Sequence, residues 1–403
     1  MNVYVRELST WLARDGLAVD VFTRLANADD PREVEMAPGV RLVRLEAGKA
    51  APVDKNAVFA HLPQFVSGVE GYRRRRGITY DLVHSHYWLS AWSGGRLAQW
   101  WSVPHVTMFH TLGEVKNRCG APGGESDLRI GVERRAVAAV DRIVAASEDE
   151  REHLVSLYGA DASRISIIPC GVDTSLFRPL AKERARAELG LDGGWVALFV
   201  GRMDPLKGLD ILLHAVERLA ASAPDLRVVV VGGDAVPESE EARVRSLAGD
   251  LGLADRVRFV GAVPQKALPL YYNAADVCVV PSYYESFGLV AVEALACGTP
   301  VIASRVGGLP KVVKHGENGL LVAERSPEAF AACILRLHAD ERERSALALR
   351  ARQSVRHLVW AAIAQRVRAL YDELWAEAAA GEREQAKRSP TTPAGFCAGH
   401  CCR

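Results

Sequence analysis

The sequence lacks the features that would assign the protein to a membrane, an export pathway or a nucleic acid. No apolar run approaches the roughly 20 residues of a membrane-spanning helix. The opening segment MNVYVREL carries charges where a signal peptide has its apolar core. Fifty Lys and Arg residues balance 49 Asp and Glu residues, so the net charge of +1 attracts neither nucleic acid nor anionic lipid. We expect a cytoplasmic protein with no nucleic-acid partner and no stable membrane insertion.

The sequence also lacks a disulfide framework. Three of its eight cysteines lie in the tail, and the other five lie singly: Cys119, Cys170, Cys278, Cys297 and Cys333. This usage is typical of reduced thiols in a cytoplasm. The tail group of Cys397, His400, Cys401 and Cys402 lacks the spaced ligand pairs of a zinc site. Because it follows the polar stretch GEREQAKRSPTTP, we predict a disordered tail over 379–403 and no metal site.

Length and hydrophobic pattern together predict the architecture. A chain of 403 residues is too long for one core and suits two domains. Short apolar runs alternate with helical patterns, which predicts an α/β fold with two doubly wound, Rossmann-like parallel sheets. The predicted strands are Ala18–Phe22, Leu82–His84, His105–Phe109, Arg142–Ala145 and Ile165–Ile168 in the first set, and Val196–Val200, Arg227–Val231, Val257–Val260, Val277–Val280 and Pro300–Ala303 in the second.

The domain boundaries follow from the gap between the two sets of strands. The stretch PCGVDTSLFRP contains two prolines and a glycine, which is typical of a linker. We predict an N-terminal domain over 1–168, a linker over 169–180, a C-terminal domain over 181–355 and a last helix over 356–378 that packs back towards the N-terminal domain.

The chain opens in an unusual way for this class of fold. Val5, Leu8, Trp11 and Leu12 share one face at helical spacing, so the first element is predicted to be an amphipathic helix. A strand and a phosphate-approaching loop would normally precede such a helix in a doubly wound sheet, and both are missing here.

The stretch PSYYESFGLVAVEALACGTPVIAS, residues 281–304, contains the most informative carboxylates of the chain. Glu285 lies in a predicted strand-to-helix loop, and Gly288 lets the backbone approach a ligand closely. The free N–H groups of the following helix turn suit a phosphate. Glu293 lies more than one turn further on, so the two carboxylates suit two parts of one long ligand, as in a sugar-nucleotide site. The helix dipole alone favours such glutamates, but it does not account for Gly288 or the small residues at 294–298.

Two cations form the second candidate site, in the stretch FVGRMDPLKGLDILLHA. Arg202 and Lys207 flank a loop at the carboxyl end of a predicted strand, where parallel sheets bind ligands. Arginine as a fork and lysine as a point charge can together neutralise a diphosphate. Solvated surface cations are the alternative, and the carboxylates of the same sheet favour the functional interpretation.

Histidines and glycines supply weaker candidates. His84 and His86 alternate on a strand, but no third metal ligand has a suggestive spacing, so we predict a packed or hydrogen-bonded role. His110 and Thr111 follow a strand and are better candidates by position. The remaining motifs, which we interpret as turns or a solvated helix end, are Val231–Asp234, Gly307–Gly308, Gly316–Gly319 and Tyr72–Arg76.

The motifs VGRMDPLKG and PSYYESFGLVAVEALACGTPVI resemble those of the retaining glycosyltransferases of family four, or group 1. These enzymes have the GT-B architecture, in which two Rossmann-like domains face a central cleft. The resemblance covers nearly the whole chain up to about Ala378. The segments MNVYVREL, HSHYWLS, HTLGEVKN and PCGVD are similar to the subgroup that acts on D-inositol 3-phosphate in mycothiol biosynthesis, itself similar to sucrose-phosphate synthase.

The resemblance implies a role for each candidate on the donor side. Arg202 and Lys207 would hold the diphosphate of a UDP-sugar, for which UDP-N-acetylglucosamine is the expected donor. Glu285 would bind the donor sugar and Glu293 the ribose. His110 would lie near the reacting sugar carbon. The backbone of Phe287, Gly288 and Leu289 would contact the phosphates, and the segment between Gly261 and Val263 would contact the uracil. No cofactor is expected to be tightly bound, and Mg²⁺ is compatible with such a site.

The resemblance also implies an acceptor site for a small phosphorylated polyol such as 1D-myo-inositol 3-phosphate. Tyr87 and Thr111 match the phosphate-binding residues of the subgroup in intact motifs, and Lys55 and Arg129 match in more variable sequence. Asn2 would belong to the acceptor side. Family members carry a first strand and a glycine-pair loop before the segment MNVYV, so either the start codon is misassigned, which we favour, or the chain is a truncated form with impaired activity.

Several alternatives stay open at this point. An enzyme similar to sucrose-phosphate synthase, or one with a lipid or polysaccharide acceptor, would use the same donor site. A non-catalytic sugar-nucleotide binder would fit the missing strand. An NAD-dependent oxidoreductase lacks its glycine fingerprint here, whereas a UDP-sugar epimerase shares the architecture. A homodimer is compatible with all of them.

Overall fold

The computed structural model describes residues 1–120, 124–191, 193–233 and 240–388, with side chains up to residue 380. The predicted tail residues 389–403, with Cys397, His400, Cys401 and Cys402, and the predicted turn residue Asp234 therefore lie outside the described residues. Strands and helices alternate through both halves, which confirms the predicted α/β class.

The first half of the chain contains seven strands and seven helices within the described residues. In chain order they are α1 (Asn2–Arg14), β1 (Val19–Arg24), β2 (Glu33–Ala37), β3 (Val40–Leu45), α2 (Lys55–Val58), α3 (Leu62–Arg76), β4 (Val83–His86), α4 (Trp88–Trp101), β5 (His105–Met108), α5 (Gly113–Arg118), α6 (Asp127–Ala139), β6 (Arg142–Ala145), α7 (Glu148–Tyr158) and β7 (Ile165–Ile167).

These strands form two sheets. β4, β5, β6 and β7 are parallel neighbours in that order, while β1 pairs with β3 in parallel and β3 pairs with β2 antiparallel. β2 and β3 are absent from the predicted strands because their charged residues interrupt the apolar run. All four residues of β5 are buried, as expected for a parallel strand covered on both faces.

A cavity of about 920 Å³ lies between the two sheets of the first half, beside their end strands β1 and β4. Val19, Val21 and Thr23 of β1 line it together with His84 and His86 of β4, and residues of α1 complete the wall. In the part of the chain that the structure describes, β1 and β4 do not pair with each other. Each of these strands therefore leaves one edge facing the cavity.

The described residues of the second half form a single sheet of six parallel strands. Its elements are α8 (Lys182–Leu189), β8 (Trp195–Val200), α9 (Leu209–Arg218), β9 (Leu226–Val231), α10 (Glu240–Asp250), β10 (Val257–Gly261), α11 (Leu268–Ala274), β11 (Val277–Val280), α12 (Leu289–Ala296), β12 (Val301–Ser304), α13 (Leu309–Val312), β13 (Gly319–Val322), α14 (Pro327–Ala339), α15 (Glu341–Ser354) and α16 (Trp360–Arg388).

The strand order of this sheet is β10-β9-β8-β11-β12-β13. The order reverses between β8 and β11, and ligands of open parallel sheets bind at such a switch point. One sequence interpretation needs correction: Gly319 is not part of a turn but begins β13, where it pairs with Val301. A Cβ atom there would lie 2.2 Å from the Val301 carbonyl oxygen, so the close strand approach requires glycine.

The last helix, α16, links the two halves. Trp360 lies with its ring 5.2 Å from that of Tyr4 in α1, and Tyr371 hydrogen-bonds to His84 of β4. Trp375 donates a hydrogen bond to the carbonyl oxygen of Asp81. The helix continues to Arg388, beyond the predicted end at 378, so the predicted disordered tail does not begin at residue 379. No helix among the described residues is long and apolar enough to span a membrane.

Candidate active site

Four of the residues predicted on the acceptor side converge at the carboxyl edge of the first-half parallel sheet. Tyr87 follows β4 and caps α4, Thr111 follows β5, Arg129 lies in the first turn of α6, and Lys55 begins α2. The carboxyl ends of parallel strands meet at one edge, so β4 and β5 bring Tyr87 and Thr111 together. We call these four residues and Glu125 the Arg129 cluster.

Arg129 is the centre of the cluster and is fully buried. Its Nη1 donates to the Tyr87 hydroxyl at 3.1 Å, and its Nη2 donates to the Thr111 carbonyl oxygen at 2.8 Å and to Oγ1 at 3.0 Å. Nε donates to Glu133 Oε1 at 2.7 Å. The guanidinium also lies 4.9 Å from the centre of the Tyr87 ring. A buried arginine is stable only with such partners, so the contacts hold its fork in one orientation.

Two lysines, Lys55 and Lys116, contact the carboxylate of Glu125, which also contacts Arg129. The amines of Lys55 and Lys116 lie 2.6 and 2.5 Å from the Glu125 carboxylate, and Arg129 Nη1 lies 3.1 Å from it. Although burial raises the pKa of Glu125, the hydrogen bonds from Lys116 and Lys55 outweigh it and lower that pKa to about 2. Glu125 is therefore ionised at neutral pH, and its charge lies where the acceptor phosphate was expected.

Sequence reasoning missed Lys116, Glu125, Glu133 and Tyr158. A usable signal was present: Glu125 and Glu133 flank Arg129 at four residues on each side, a spacing that brings opposite charges together on a helix. Glu133 accepts hydrogen bonds from the Gly113 N–H at 3.0 Å and the Tyr158 hydroxyl at 2.6 Å, which ties α6 to α5 and α7.

Tyr87 of the cluster and His110, next to Thr111, have left-handed backbones. His110 has φ of 63° and Tyr87 has φ of 80°. Such conformations cost a non-glycine residue about 1–3 kcal/mol and persist where the surroundings fix them, commonly at functional sites. Here they follow neighbouring strands and turn both side chains towards the same edge of the sheet.

Three half-buried histidines, His84, His86 and His110, form hydrogen bonds in this region. His86 Nδ1 lies 3.1 Å from His110 Nε2, and His84 Nδ1 lies 2.6 Å from the Tyr371 hydroxyl. Burial lowers the pKa of His110 to about 3, so its imidazole is neutral at physiological pH. Among the described residues no group of three or more His, Cys, Asp or Glu side chains is arranged to hold a metal ion.

The predicted donor residues gather at the switch point of the second sheet. Arg202 and Lys207 follow β8, and Glu285 follows β11. Lys207 Nζ donates to Glu285 Oε2 at 2.7 Å, whereas Arg202 is 76% exposed and contacts Asp204 at 3.2 Å. Lys207 and Glu285 line a small cavity together with Gly201 and Ser282. Lysine has three donors and arginine has five, so both retain N–H groups for a ligand.

Glycines hold the Glu285 loop against the next strand connection. Gly288 is the N-cap of α12 with φ of 99°, and its neighbour Phe287 is buried. Gly308 donates its N–H to the Glu285 carbonyl oxygen at 3.1 Å. A Cβ atom on Gly308 would lie 2.6 Å from the Ser286 carbonyl oxygen. Gly307–Gly308 form a turn, as interpreted from the sequence, and this turn also supports the loop that carries Glu285.

Glu293 and the uracil-side candidates are placed differently from Glu285. Glu293 lies inside α12 and accepts a hydrogen bond from the Tyr272 hydroxyl at 2.8 Å. Burial raises the pKa of Glu293 to about 7. Gly261 ends β10 with φ of 84°, and Val263 follows it in the loop, half-buried. Tyr272 is a further contact of this region that sequence reasoning missed.

The Arg129 cluster in the first half of the chain and the loop of Glu285 in the second half are neighbours. Tyr284, next to Glu285, packs against the cluster of buried residues that contains Leu112, next to Thr111. Ser147 of the first half donates a hydrogen bond to the Ser286 carbonyl oxygen at 3.1 Å. Asn2 is exposed at the start of α1 and lines the 920 Å³ cavity. Within the described residues no hydrogen bond joins Asn2 to the Arg129 cluster, so the structure does not bring it to the other acceptor candidates.

Comparison with known proteins identifies the family. The family model "Glycosyltransferase Family 4" matches residues 1–176, and the model "Glycosyl transferases group 1" matches residues 181–354. D-inositol 3-phosphate glycosyltransferase of Acidothermus cellulolyticus is 45% identical over 84% of this chain and 77% of its own. The protein of that name from Corynebacterium efficiens is 41% identical over 93% of this chain and 90% of its own.

Solved structures agree with this assignment. Sucrose-phosphate synthase of Thermosynechococcus elongatus is 38% identical, with a TM-score of 0.86, over 93% of this chain and 94% of that chain. HepE of Anabaena, solved with UDP-glucose, has a TM-score of 0.68 over 77% of this chain and 82% of its own, at 23% identity, which shows the shared fold. The chain belongs to the group 1 glycosyltransferases of family four, with the GT-B fold, and is a glycosyltransferase.

Proposed function

We propose that the protein transfers a sugar, with N-acetylglucosamine as the expected group, from a UDP-sugar to a small phosphorylated polyol such as 1D-myo-inositol 3-phosphate, with retention of the anomeric configuration. The observation that carries the proposal is the convergence of Lys55, Tyr87, Thr111 and Arg129 next to the loop of Glu285.

The acceptor side is supported by charge and by hydrogen-bond geometry. Arg129 directs its guanidinium towards Tyr87 and Thr111, and two lysine amines lie in the same group. Guanidinium and ammonium donors form the strong, charge-assisted hydrogen bonds that phosphates receive in proteins. A neutral polyol would leave the three cations Lys55, Lys116 and Arg129 with only the two carboxylates of Glu125 and Glu133. In the proposed complex the phosphate therefore fixes the acceptor, and one of its hydroxyls points towards the donor sugar.

On the donor side, Lys207 and Arg202 would neutralise the diphosphate. The bond between the sugar carbon and the UDP oxygen breaks, the acceptor oxygen bonds to the same face of that carbon, and the departing phosphate oxygen takes the acceptor's proton. Negative charge then grows on UDP, where two cations that are already positioned stabilise it. Glu285 would bind a sugar hydroxyl while it holds Lys207.

His110 fits a neutral role in this reaction. Its low pKa makes it a hydrogen-bonding imidazole and not a cation at physiological pH. The contact between His110 Nε2 and His86 Nδ1 at 3.1 Å holds the ring in one orientation. We propose that His110 orients the donor sugar and that the phosphate of UDP, and not a histidine, accepts the acceptor's proton. Glu293, whose carboxyl is half-protonated near pH 7, would contact the ribose.

A matrix of substrates tests the proposal. Purified protein is incubated with UDP-N-acetylglucosamine or UDP-glucose and with 1D-myo-inositol 3-phosphate or fructose 6-phosphate. Released UDP gives the rate, and the proton spectrum of the product gives the anomer. The proposal expects transfer of N-acetylglucosamine to the inositol phosphate with an α linkage. A β-linked product, or transfer to neither phosphorylated acceptor, would contradict it.

A second candidate is the synthesis of sucrose phosphate from UDP-glucose and fructose 6-phosphate. It is favoured by the likeness to sucrose-phosphate synthase, which extends over nearly the full length of both chains. Both candidates use a phosphorylated acceptor, so the Arg129 cluster does not separate them. The same matrix does: the second candidate requires faster transfer with the pair of UDP-glucose and fructose 6-phosphate than with any other pair.

A further inference from the structure

The carboxylate of Glu125 occupies the middle of a group of three cations. Lys55, Lys116 and Arg129 each lie within 3.1 Å of its oxygens, and only 2% of the Glu125 side chain is exposed. These three cations come from α2, α5 and α6, so the carboxylate is the point at which three separate elements of the first half meet.

The backbone of Glu125 is held independently of its side chain. Asn117, at the end of α5, accepts a hydrogen bond from the Glu125 N–H through Oδ1 and donates one to the Glu125 carbonyl oxygen through Nδ2. The next residue, Ser126, caps α6 and donates to Asn56 beside Lys55. The carboxylate can therefore leave the cations by rotation about its own side-chain bonds while the main chain stays in place.

The charges around this point are not balanced by Glu125 alone. Glu133 pairs with Arg129 from the opposite side, so Lys55 and Lys116 share the single charge of Glu125. A phosphate monoester brings nearly two negative charges and three acceptor oxygens. A carboxylate brings one charge and two oxygens. Phosphate therefore satisfies the two lysines and Arg129 better than Glu125 does.

We propose that Glu125 is an internal substitute for the acceptor's phosphate, displaced when the phosphate binds, and that Lys116 is a further phosphate-binding residue. The inference rests on the proposed phosphorylated acceptor and adds a selection step to it. A ligand enters the site only if it binds the three cations more strongly than the Glu125 carboxylate does. Dianionic phosphate does so, whereas acceptors that carry a single carboxylate do not.

A purely structural Glu125 makes the opposite prediction. If the carboxylate only gathers the cations, its removal lets Lys55 and Lys116 separate and weakens phosphate binding. If it competes with phosphate, its removal strengthens phosphate binding. Glu125→Gln keeps the size and one carbonyl oxygen of the side chain while it removes the charge, so the sign of the change separates the two roles.

The experiment measures inorganic phosphate binding by calorimetry in the full chain, together with KM for the phosphorylated acceptor. Glu125→Gln should bind phosphate about fivefold more tightly and lower KM, because the carboxylate no longer competes with phosphate for Lys55 and Lys116. Lys116→Met should bind phosphate about tenfold more weakly, because one charge-assisted hydrogen bond is lost. Both variants should bind UDP as the unmodified protein does, since UDP belongs to the other half.

Glu114→Gln, half-buried on α5 and paired with Arg118, is the matched control and should change neither phosphate binding nor KM. Weaker or unchanged phosphate binding in Glu125→Gln would overturn the substitute role, and unchanged binding in Lys116→Met would remove Lys116 from the site. The proposed function fails separately, when phosphate binds as predicted but no sugar is transferred to any phosphorylated acceptor.

Discussion

Replacement of Arg129 by methionine should be the most destabilising change in the first half of the chain. The guanidinium makes hydrogen bonds to Glu133, Tyr87 and Thr111 and a salt bridge to Glu125, and it is fully buried. Removal of one partner of a buried ion pair leaves the other charge uncompensated and costs about 3–5 kcal/mol. We expect a loss in the free energy of unfolding within this range.

The structure also sets a limit on the loss. Glu133 retains hydrogen bonds from the Gly113 N–H and the Tyr158 hydroxyl, and Glu125 retains both lysines. The remaining carboxylates are therefore partly compensated, which places the expected loss near the lower end, about 3 kcal/mol. Arg129→Lys keeps the charge but replaces a fork by a point donor, so it should lose about half as much.

Urea-induced unfolding followed by circular dichroism measures this loss. Arg134→Met is the matched control, because Arg134 lies on the same helix and is exposed. It should change the free energy of unfolding by less than about 0.5 kcal/mol. A loss below about 1 kcal/mol for Arg129→Met would refute the argument that the buried cation organises this region. The affinity for UDP should be unchanged in Arg129→Met, since Lys207 and Glu285 lie in the other half.

Three further predictions concern the donor side and the region between the halves. Lys207→Met should lower kcat at least about tenfold, because it removes a charge-assisted hydrogen bond that strengthens as UDP departs; the exposed Lys314→Met is the control, and an unchanged kcat removes Lys207 from the mechanism. Gly308→Ala places a Cβ 2.6 Å from the Ser286 carbonyl oxygen, so it should displace the Glu285 loop and weaken UDP binding about tenfold. Gly249→Ala is the control and should not weaken UDP binding, because the space around Gly249 is open. Equal UDP affinities in the two variants would contradict this prediction. Burial raises the pKa of Glu150 from 4.5 to about 7, so its contribution to stability is present below pH 4.5 and is lost as the pH rises to about 7, by up to about 3 kcal/mol. Glu150→Gln should remove this pH dependence from the urea midpoints, and an unchanged slope between these pH values would refute it.

Some parts of the fold were predictable because the signal was local. The buried runs of Val and other apolar residues predict every strand of the second sheet except β13 to within one residue at each end. β13 was missed because Gly319 looks like a turn residue, and only its contact with Val301 explains it. β2 and β3 were missed because they are partly exposed and are interrupted by charges, Glu33 and Glu35 in β2 and Arg41 and Arg44 in β3.

Some residues of the candidate site were likewise predictable from local sequence signals, and others were not. Tyr87 and Thr111 were predictable because intact motifs contain them, and Lys207 and Glu285 because they follow strands at the switch point. Glu125 and Lys116 were not predicted, since their meeting depends on three elements packed together in space. The orientation of Glu293 towards Tyr272 likewise depends on how α11 packs against α12, which no local pattern states.

In the proposed function, the Arg129 cluster binds the phosphate of the acceptor beside the sugar donor. The most direct test compares initial rates with 1D-myo-inositol 3-phosphate and with myo-inositol at one concentration of UDP-N-acetylglucosamine. Loss of two charge-assisted hydrogen bonds costs about 3 kcal/mol or more, so kcat/KM should fall at least about a hundredfold without the phosphate. Values of kcat/KM for the two acceptors that agree within about threefold would contradict the account.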